Sequence, residues 1–483
     1  ESYLTQDSSE FCKVLVRRSV HRDYLYVDTC AAQARKIFPN LNLVVYQKVG
    51  GEKKILRSSV MLPVDSSLFF LGVPHELHQY IAGIHDVTDL PLPKYHSGTQ
   101  SEDAPLPAWL STDKEFDIPS MIEYFGISYD GLTEEGLKAD SPQVRQGVVE
   151  FDNAAYSASE LASFQEKYNV PSDPLTKIVG SEETFGGPGV EASLDVQTLT
   201  GIGQRVQTWD FVFGADADFL LVTEKIMSTS GAPNVYSCSW ETYENDYDEA
   251  QAEAVNNSFM KLGLAGYSFF IDSGDAGPSL ASDCTTYNPQ FPGTSAYTIA
   301  VGGTAVNSQD GKERGWIHSS GGFSRLIKRP AYQEQQVQHY LDTAKLPPNA
   351  GGKVYGTTGR AFPDISAIGA FEPVYANGEY EPVGGTSGST PQFAAIITMI
   401  NIQRYQNGLG PLGPLGQVFW TLKEGVGHDV TIGQNYATNR TGACGNNYLP
   451  GFQVTEGWDP VTGVGSPRWD TLLSQLKDLK AQQ

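Results

Sequence analysis

The sequence predicts an α/β protein in which a mostly parallel sheet is flanked by helices, preceded by a small α+β unit. From Phe116 onward, short apolar runs alternate with helical patterns, which implies parallel strands covered on both faces. Ahead of that region, Leu90-Pro91-Leu92-Pro93 interrupts the chain, because consecutive Xaa-Pro steps break helix and ladder alike. Charged residues are only 18% of the chain while glycine takes 50 of 483 positions, the composition of a loop-rich globular protein and not of a coiled coil or disordered tail.

In the first unit, Lys13 to Val16, Tyr24 to Val27, Leu43 to Lys48 and Ile84 to Val87 read as strands. Ala31 to Ile37 and Pro74 to Ile81 read as helices. Residues 94–115 then carry His96-Ser97-Gly98-Thr99-Gln100-Ser101-Glu102-Asp103, a polar run with nothing to bury, which is the signature of an exposed linker open to proteolysis. Beyond it, Gly147 to Phe151, Trp209 to Phe213, Phe219 to Val222, Tyr267 to Ile271 and Tyr297 to Val301 read as strands. Ser157 to Lys167, a segment starting near Val190, Gln251 to Leu262 and Pro391 to Tyr405 read as helices. No internal repeat is present.

The formal charge of -23 argues against a nucleic-acid partner, since phosphate binding needs clustered Lys and Arg. Such acidity suits a secreted or acidic-compartment protein, and equally suits plain solubility. No apolar run approaches the roughly 20 residues of a membrane helix. The opening Glu1-Ser2-Tyr3 reads as a processed or truncated start. Cys12, Cys30, Cys238, Cys284 and Cys444 are too dispersed for a zinc site. The sequons at Asn256 and Asn439 permit glycosylation in a secretory setting.

Three segments carry chemistry. Gly384-Gly385-Thr386-Ser387-Gly388-Ser389-Thr390-Pro391 precedes an apolar helix, where small neighbours expose the Ser387 hydroxyl and free N–H groups favour negative charge. It reads equally as a Ser/Gly-rich helix cap. No histidine has the context of a serine-hydrolase base, and a lipase-type elbow fails because Ser389 stands at its fifth position. Carboxylates offer another base. Glu191 and Asp195, spaced i,i+4, share one helix face and would share a proton, though solvated faces carry such pairs routinely. Asp275 follows the apolar strand at Tyr267 to Ile271 within Ser273-Gly274-Asp275-Ala276-Gly277, either reaching a site at a strand end or closing an Asx turn.

Glu-x-x-x-Asp, then Ser-Gly-Asp-x-Gly, then Gly-Thr-Ser-x-Ser-x-Pro, in this order, resembles the sedolisin family of serine-carboxyl peptidases. Phe291-Pro292-Gly293-Thr294-Ser295, Val301-Gly302-Gly303-Thr304, Gly321-Gly322-Phe323-Ser324 and Phe362-Pro363-Asp364 match as well, and the likeness runs from about Phe116 to Leu476. It implies a subtilisin-like catalytic domain over 116–483. It also implies a ferredoxin-like propeptide, lacking its front portion, over 1–93, and an activation linker at 94–115. Ser387 would be the nucleophile, Glu191 the general base, Asp195 its partner and Asp275 the oxyanion donor. One Ca²⁺ is implied, held by the Asp429 and Asp459 carboxylates and the Val430, Thr455 and Gly457 carbonyls, an all-oxygen set suited to a hard cation. The resemblance further implies Cys12–Cys30 and Cys284–Cys444 disulfides, with Cys238 left free. Substrates would be peptides or unfolded proteins cut at acid pH in a secreted, lysosomal or vacuolar setting, with tripeptides released from free amino termini. An endopeptidase of the same family, and a secreted structural protein on a peptidase scaffold, are the alternatives.

Overall fold

The computed structural model describes residues 113–130, 132, 144–180, 189–214, 217–281, 283, 286–347, 356–437 and 449–480, and short strand backbones before them. Those early strands are β1 (Leu15–Arg18), β2 (Leu25–Asp28), β3 (Leu43–Gln47), β4 (Lys54–Ser58) and β5 (Tyr95–His96). β1 pairs antiparallel with β2, and β3 with β4. Three of them fall on strands the sequence predicts. Ala34 is helical as expected, whereas the rest of that helix, the Pro74 to Ile81 helix and the Ile84 to Val87 strand lie outside the described residues.

Then come α1 (Ile118–Phe125), β6 (Arg145–Glu150), α2 (Ala158–Lys167), β7 (Lys177–Gly180), α3 (Val190–Ile202), β8 (Gln207–Val212), α4 (Phe219–Ser228), β9 (Val235–Cys238), β10 (Trp240–Tyr243), α5 (Glu249–Leu264) and β11 (Ser268–Asp272). β12 (Gln290–Phe291), β13 (Ile299–Val306), β14 (Glu313–Gly315), β15 (Gly322–Lys328), α6 (Glu334–Thr343), β16 (Gly359–Phe362), β17 (Ile365–Ile368), β18 (Glu372–Ala376) and β19 (Glu379–Val383) lead to α7 (Thr386–Gln406). The main sheet runs β14-β13-β11-β9-β6-β8-β7, with β17 also on β13. All its pairs are parallel except β13 with β14. Strand order reverses between β6 and β9, and ligands in such sheets bind at the carboxyl ends beside that reversal.

Alternation along the strands splits the interior in two. On β11, Phe269 and Ile271 join the cluster containing Phe211, Phe219 and Phe259, while Phe270 faces the one containing Val148, Phe393 and Ile397. Each buried phenylalanine contributes about 2 to 3 kcal/mol. α3 and α7 lie side by side in the second layer and are buried on nearly all sides, so neither presents a polar stripe.

Two expectations change. Phe219 to Val222 opens α4 and is no strand: Asp218 caps the helix by accepting the Leu221 N–H at 2.8 Å, and Phe219, Val222, Thr223 and Ile226 are buried at helical spacing. The helix expected from Pro391 begins instead at Thr386, so Ser387 stands inside its first turn. Gly, Ser and Thr are poor helix formers by propensity; here burial on every side holds them helical.

Candidate active site

β11 ends at Asp272, and the loop after it carries Asp275. Gly274 makes the turn at φ +96, and a side chain there would collide with Glu241 and Gln290. Ser273 N–H donates to Val301 and Gly277 N–H to His318, which ties the loop to its neighbours. Asp275 points at the start of α7: its Oδ1 accepts the Thr386 N–H and the Thr386 hydroxyl, each at 2.9 Å. The Thr386 hydroxyl in turn accepts the Gly274 N–H at 3.1 Å. Asp275 and the residue before Ser387 are thereby locked together.

Ser387 lies in the first turn of α7, where backbone N–H groups lack intrahelical acceptors. α3 packs alongside and supplies Glu191 from its own first turn and Asp195 one turn on. Ser239, between β9 and β10, joins the two helices: its hydroxyl donates to Asp195 Oδ1 at 2.7 Å and lies 3.3 Å from the Ser387 carbonyl. Burial, then the charges of Glu150 and Glu191, push the Asp195 carboxyl well above its ordinary range, with the Ser239 bond working the other way. The structure therefore brings Glu191, Asp195, Asp275 and Ser387 into one neighbourhood.

Sequence reading missed two further acids. Glu150, at the carboxyl end of β6, is fully buried and accepts the Trp240 Nε1–H at 2.8 Å. Burial first, and then Asp210, push its carboxyl well up. Asp210 sits on β8 opposite Val148, on the strand face that Glu150 also uses, and burial raises it to about 7. A charged residue inside an apolar strand was the available signal, since unpaired carboxylates are almost never buried.

The second group of predicted residues comes from two segments, 429–430 and 455–459, that meet through a hydrogen bond from a backbone N–H to a carboxylate. Asp429 Oδ2 accepts the Gly457 N–H at 2.8 Å, and Asp459 Oδ2 accepts the Thr455 N–H at 3.3 Å. Val430 is buried beside Asp429. Asp459 is fully buried, and burial pushes it up to about 8.

Curated relatives share this chain. Tripeptidyl-peptidase 1 of Canis lupus familiaris is 31% identical over 358 residues, 71% of this chain and 62% of the relative. That of Rattus norvegicus is 29% identical over 472 residues, covering 94% and 79%. The chain belongs to the sedolisin family. Tripeptidyl-peptidase 1 of Dictyostelium discoideum matches at 29% over 332 residues, and here the chain spans 54% of the relative's length. Among solved structures, Pseudomonas sedolisin, a serine-carboxyl proteinase, superposes with a TM-score of 0.58 at 21% identity, over 75% of this chain and 98% of that one. That likeness extends the sedolisin fold, the expected mostly parallel sheet between helices, across the catalytic region. No family model matches.

Calcium binding is general in the sedolisin family. The residues present here fit such an ion. Among the described residues no three His, Cys, Asp or Glu side chains gather as a metal site. Asp429 and Asp459, from two segments, nevertheless both accept N–H groups of the 455–457 stretch, whose backbone carbonyls can complete an oxygen set, and buried Asp459 is a carboxyl that a cation would hold ionised. Cys238 is a buried free thiol, and the other four cysteines lie outside the described residues. No helix among the described residues is long and apolar enough to cross a membrane.

Proposed function

We propose that this sedolisin-family chain is an acid-acting peptidase that removes tripeptides from free amino termini. The observation that carries the reading is the Ser239 hydroxyl, which touches Asp195 and the Ser387 backbone at once and so joins the acids to the nucleophile helix. Ser387 Oγ attacks the substrate carbonyl carbon while Glu191 takes its proton. Asp195 orients Glu191. The oxyanion receives a hydrogen bond from protonated Asp275, whose Oδ1 is already fixed by Thr386. The C–N bond then breaks as Glu191 returns the proton to the leaving amine. Water, deprotonated by Glu191, cleaves the acyl-serine and restores the Ser387 hydroxyl. Asp275 donates this hydrogen bond only while its carboxyl holds a proton, so activity falls toward neutral pH. Tripeptide release is supported by the names of the relatives.

Residues 1–93 serve as propeptide, 94–115 as activation linker and 116–483 as peptidase domain. β5, at the head of the linker, pairs antiparallel with β10, Tyr95 opposite Glu241 and His96 opposite Trp240. That direction runs toward Ser239, whose hydroxyl touches the Ser387 carbonyl, and supports a linker that occupies the cleft before it is cut. Asp429, Asp459 and the Val430, Thr455 and Gly457 carbonyls would hold one Ca²⁺, whose contribution would be to tie these two segments together. An acidic secretory or lysosomal compartment fits the pH requirement.

The test is cleavage of unblocked and amino-blocked peptides from about pH 3 to about pH 7, with Ser387→Ala as control. Acid activity lost in the variant and confined to unblocked substrates is expected; blocked substrates cut equally well indicate an endopeptidase. Mass spectrometry of the acid-treated protein should place the first cut within 94–115, and an intact linker counts against its role. A chelator should lower the melting temperature, and no change removes the calcium assignment. Inactivity at every pH after linker cleavage leaves the structural-scaffold alternative.

A further inference from the structure

Glu372, the first residue of β18, is buried at 4% exposure between the two helices that carry the reacting groups. Its Oε1 accepts the hydroxyl of Thr198 on α3, and its Oε2 accepts Gln392 Nε2 of α7 at 3.2 Å. Thr198 is three residues beyond Asp195 on the same helix, and Gln392 is five residues beyond Ser387. The carboxyl also abuts the nucleophile turn itself: a Cβ on Gly388 would lie 2.7 Å from Glu372 Oε2, so the residue after Ser387 is glycine where the acid needs the space. β18 cannot simply follow α7, because Gln197 of α3 holds Tyr375 from both sides, donating to its carbonyl at 2.7 Å and accepting its N–H at 3.0 Å.

We propose that Glu372 is a positioning residue whose carboxyl, bridging Thr198 and Gln392, sets the approach of the Glu191 helix to the Ser387 helix. The assignment of Glu191 and Ser387 as the reacting pair rests on the function proposed above; the bridge does not. Thr198 from α3 and Gln392 and Gly388 from α7 face the carboxyl, all uncharged. The titratable group on the α2 side is Tyr168, whose phenol is itself pushed up by burial. No cation among the described residues offsets the burial, which raises Glu372 to about 8 against the two hydrogen bonds. A charge appearing there would be trapped between two packed helices.

Three variants test the bridge: Glu372→Leu, Glu372→Gln and Thr198→Val. On an unblocked peptide at acid pH, Glu372→Leu should lower kcat about tenfold to a hundredfold with KM nearly unchanged, because misplacement affects the transition state more than binding. Glu372→Gln, which keeps both partners without the charge, should restore kcat to within about threefold of the parent. Thr198→Val removes one arm of the bridge and stands in if the leucine variant does not fold. Urea unfolding from pH 4.5 to about 8 gives the second readout: the parent should lose stability across this range, and Glu372→Gln should lose distinctly less. Parental kcat in both the leucine and valine variants, or an unaltered pH slope in Glu372→Gln, overturns the proposal. An inactive parent sinks the peptidase reading alone, since the unfolding series still decides whether the bridge exists.

Discussion

At the scale of single residues, the proposed site gathers acids such as Asp195 and Glu150 whose carboxyls burial pushes up, with one hydroxyl working the other way on Asp195. Ser239 donates to Asp195 Oδ1, and this bond lowers a carboxyl that burial, Glu150 and Glu191 raise. Ser239→Ala removes the lowering contribution, so Asp195 should hold its proton to higher pH. A hydrogen bond to a charged group contributes about 1.5 to 3 kcal/mol, and kcat should fall about tenfold or more at acid pH. The pH–rate profile checks both effects, and a profile identical to the parent's would remove Ser239 from the mechanism. Ser387, Glu191, Asp195 and Asp275 were visible in the sequence because each sits in a local pattern, a glycine-rich turn or an i,i+4 helix spacing. Glu150, Asp210 and Ser239 have no such pattern. Their neighbours arrive through β6, β8 and β9 pairing and through helix packing, which connect residues far apart in the chain.

At the scale of elements, strands and long helices were legible where periodicity or length was clear, and ambiguous where a short apolar run could serve either. Phe219-Leu220-Leu221-Val222 reads as a strand by composition, yet Asp218 before it and burial at 219, 222, 223 and 226 make it a helix. The cap decides the matter, so it should be measurable. Asp218→Ala leaves the Leu221 N–H without its acceptor and should lower stability by about 1 kcal/mol, seen as a shift of the urea midpoint. A strand at this place would show no such loss. α7 gave the opposite difficulty. Its first turn, Thr386 to Thr390, contains only Thr, Ser and Gly, and the helix forms there because Asp275 holds Thr386 through its N–H and hydroxyl and the packing around the turn buries it on every side. Those braces are tertiary, and no local window of sequence contains them.

For the whole molecule, buried acids and net charge bias the fold toward acid pH. Asp210 and Glu372 carry raised values, about 7 and about 8, against ordinary ones of 3.8 and 4.5. A group whose folded value lies above its unfolded one contributes stability that is complete below the unfolded value. It loses that contribution as pH rises through the folded value. The contribution of these two groups is therefore whole near pH 4 and gone above about pH 8, a change on the order of several kcal/mol. Glu150 and Asp195 act in the same direction, being pushed up by the same burial. Self-repulsion adds to it, since the formal charge at neutrality is -23 and protonation relieves it. Salt separates the two causes. Repulsion among surface charges is screened within about 10 Å at 0.1 M salt, whereas buried carboxyls are shielded little. Urea unfolding from about pH 4 to about pH 8 should show a steady loss of stability that added salt only partly restores. A loss that salt abolishes would assign the effect to the surface, and a flat profile would mean that the buried acids ionise without cost.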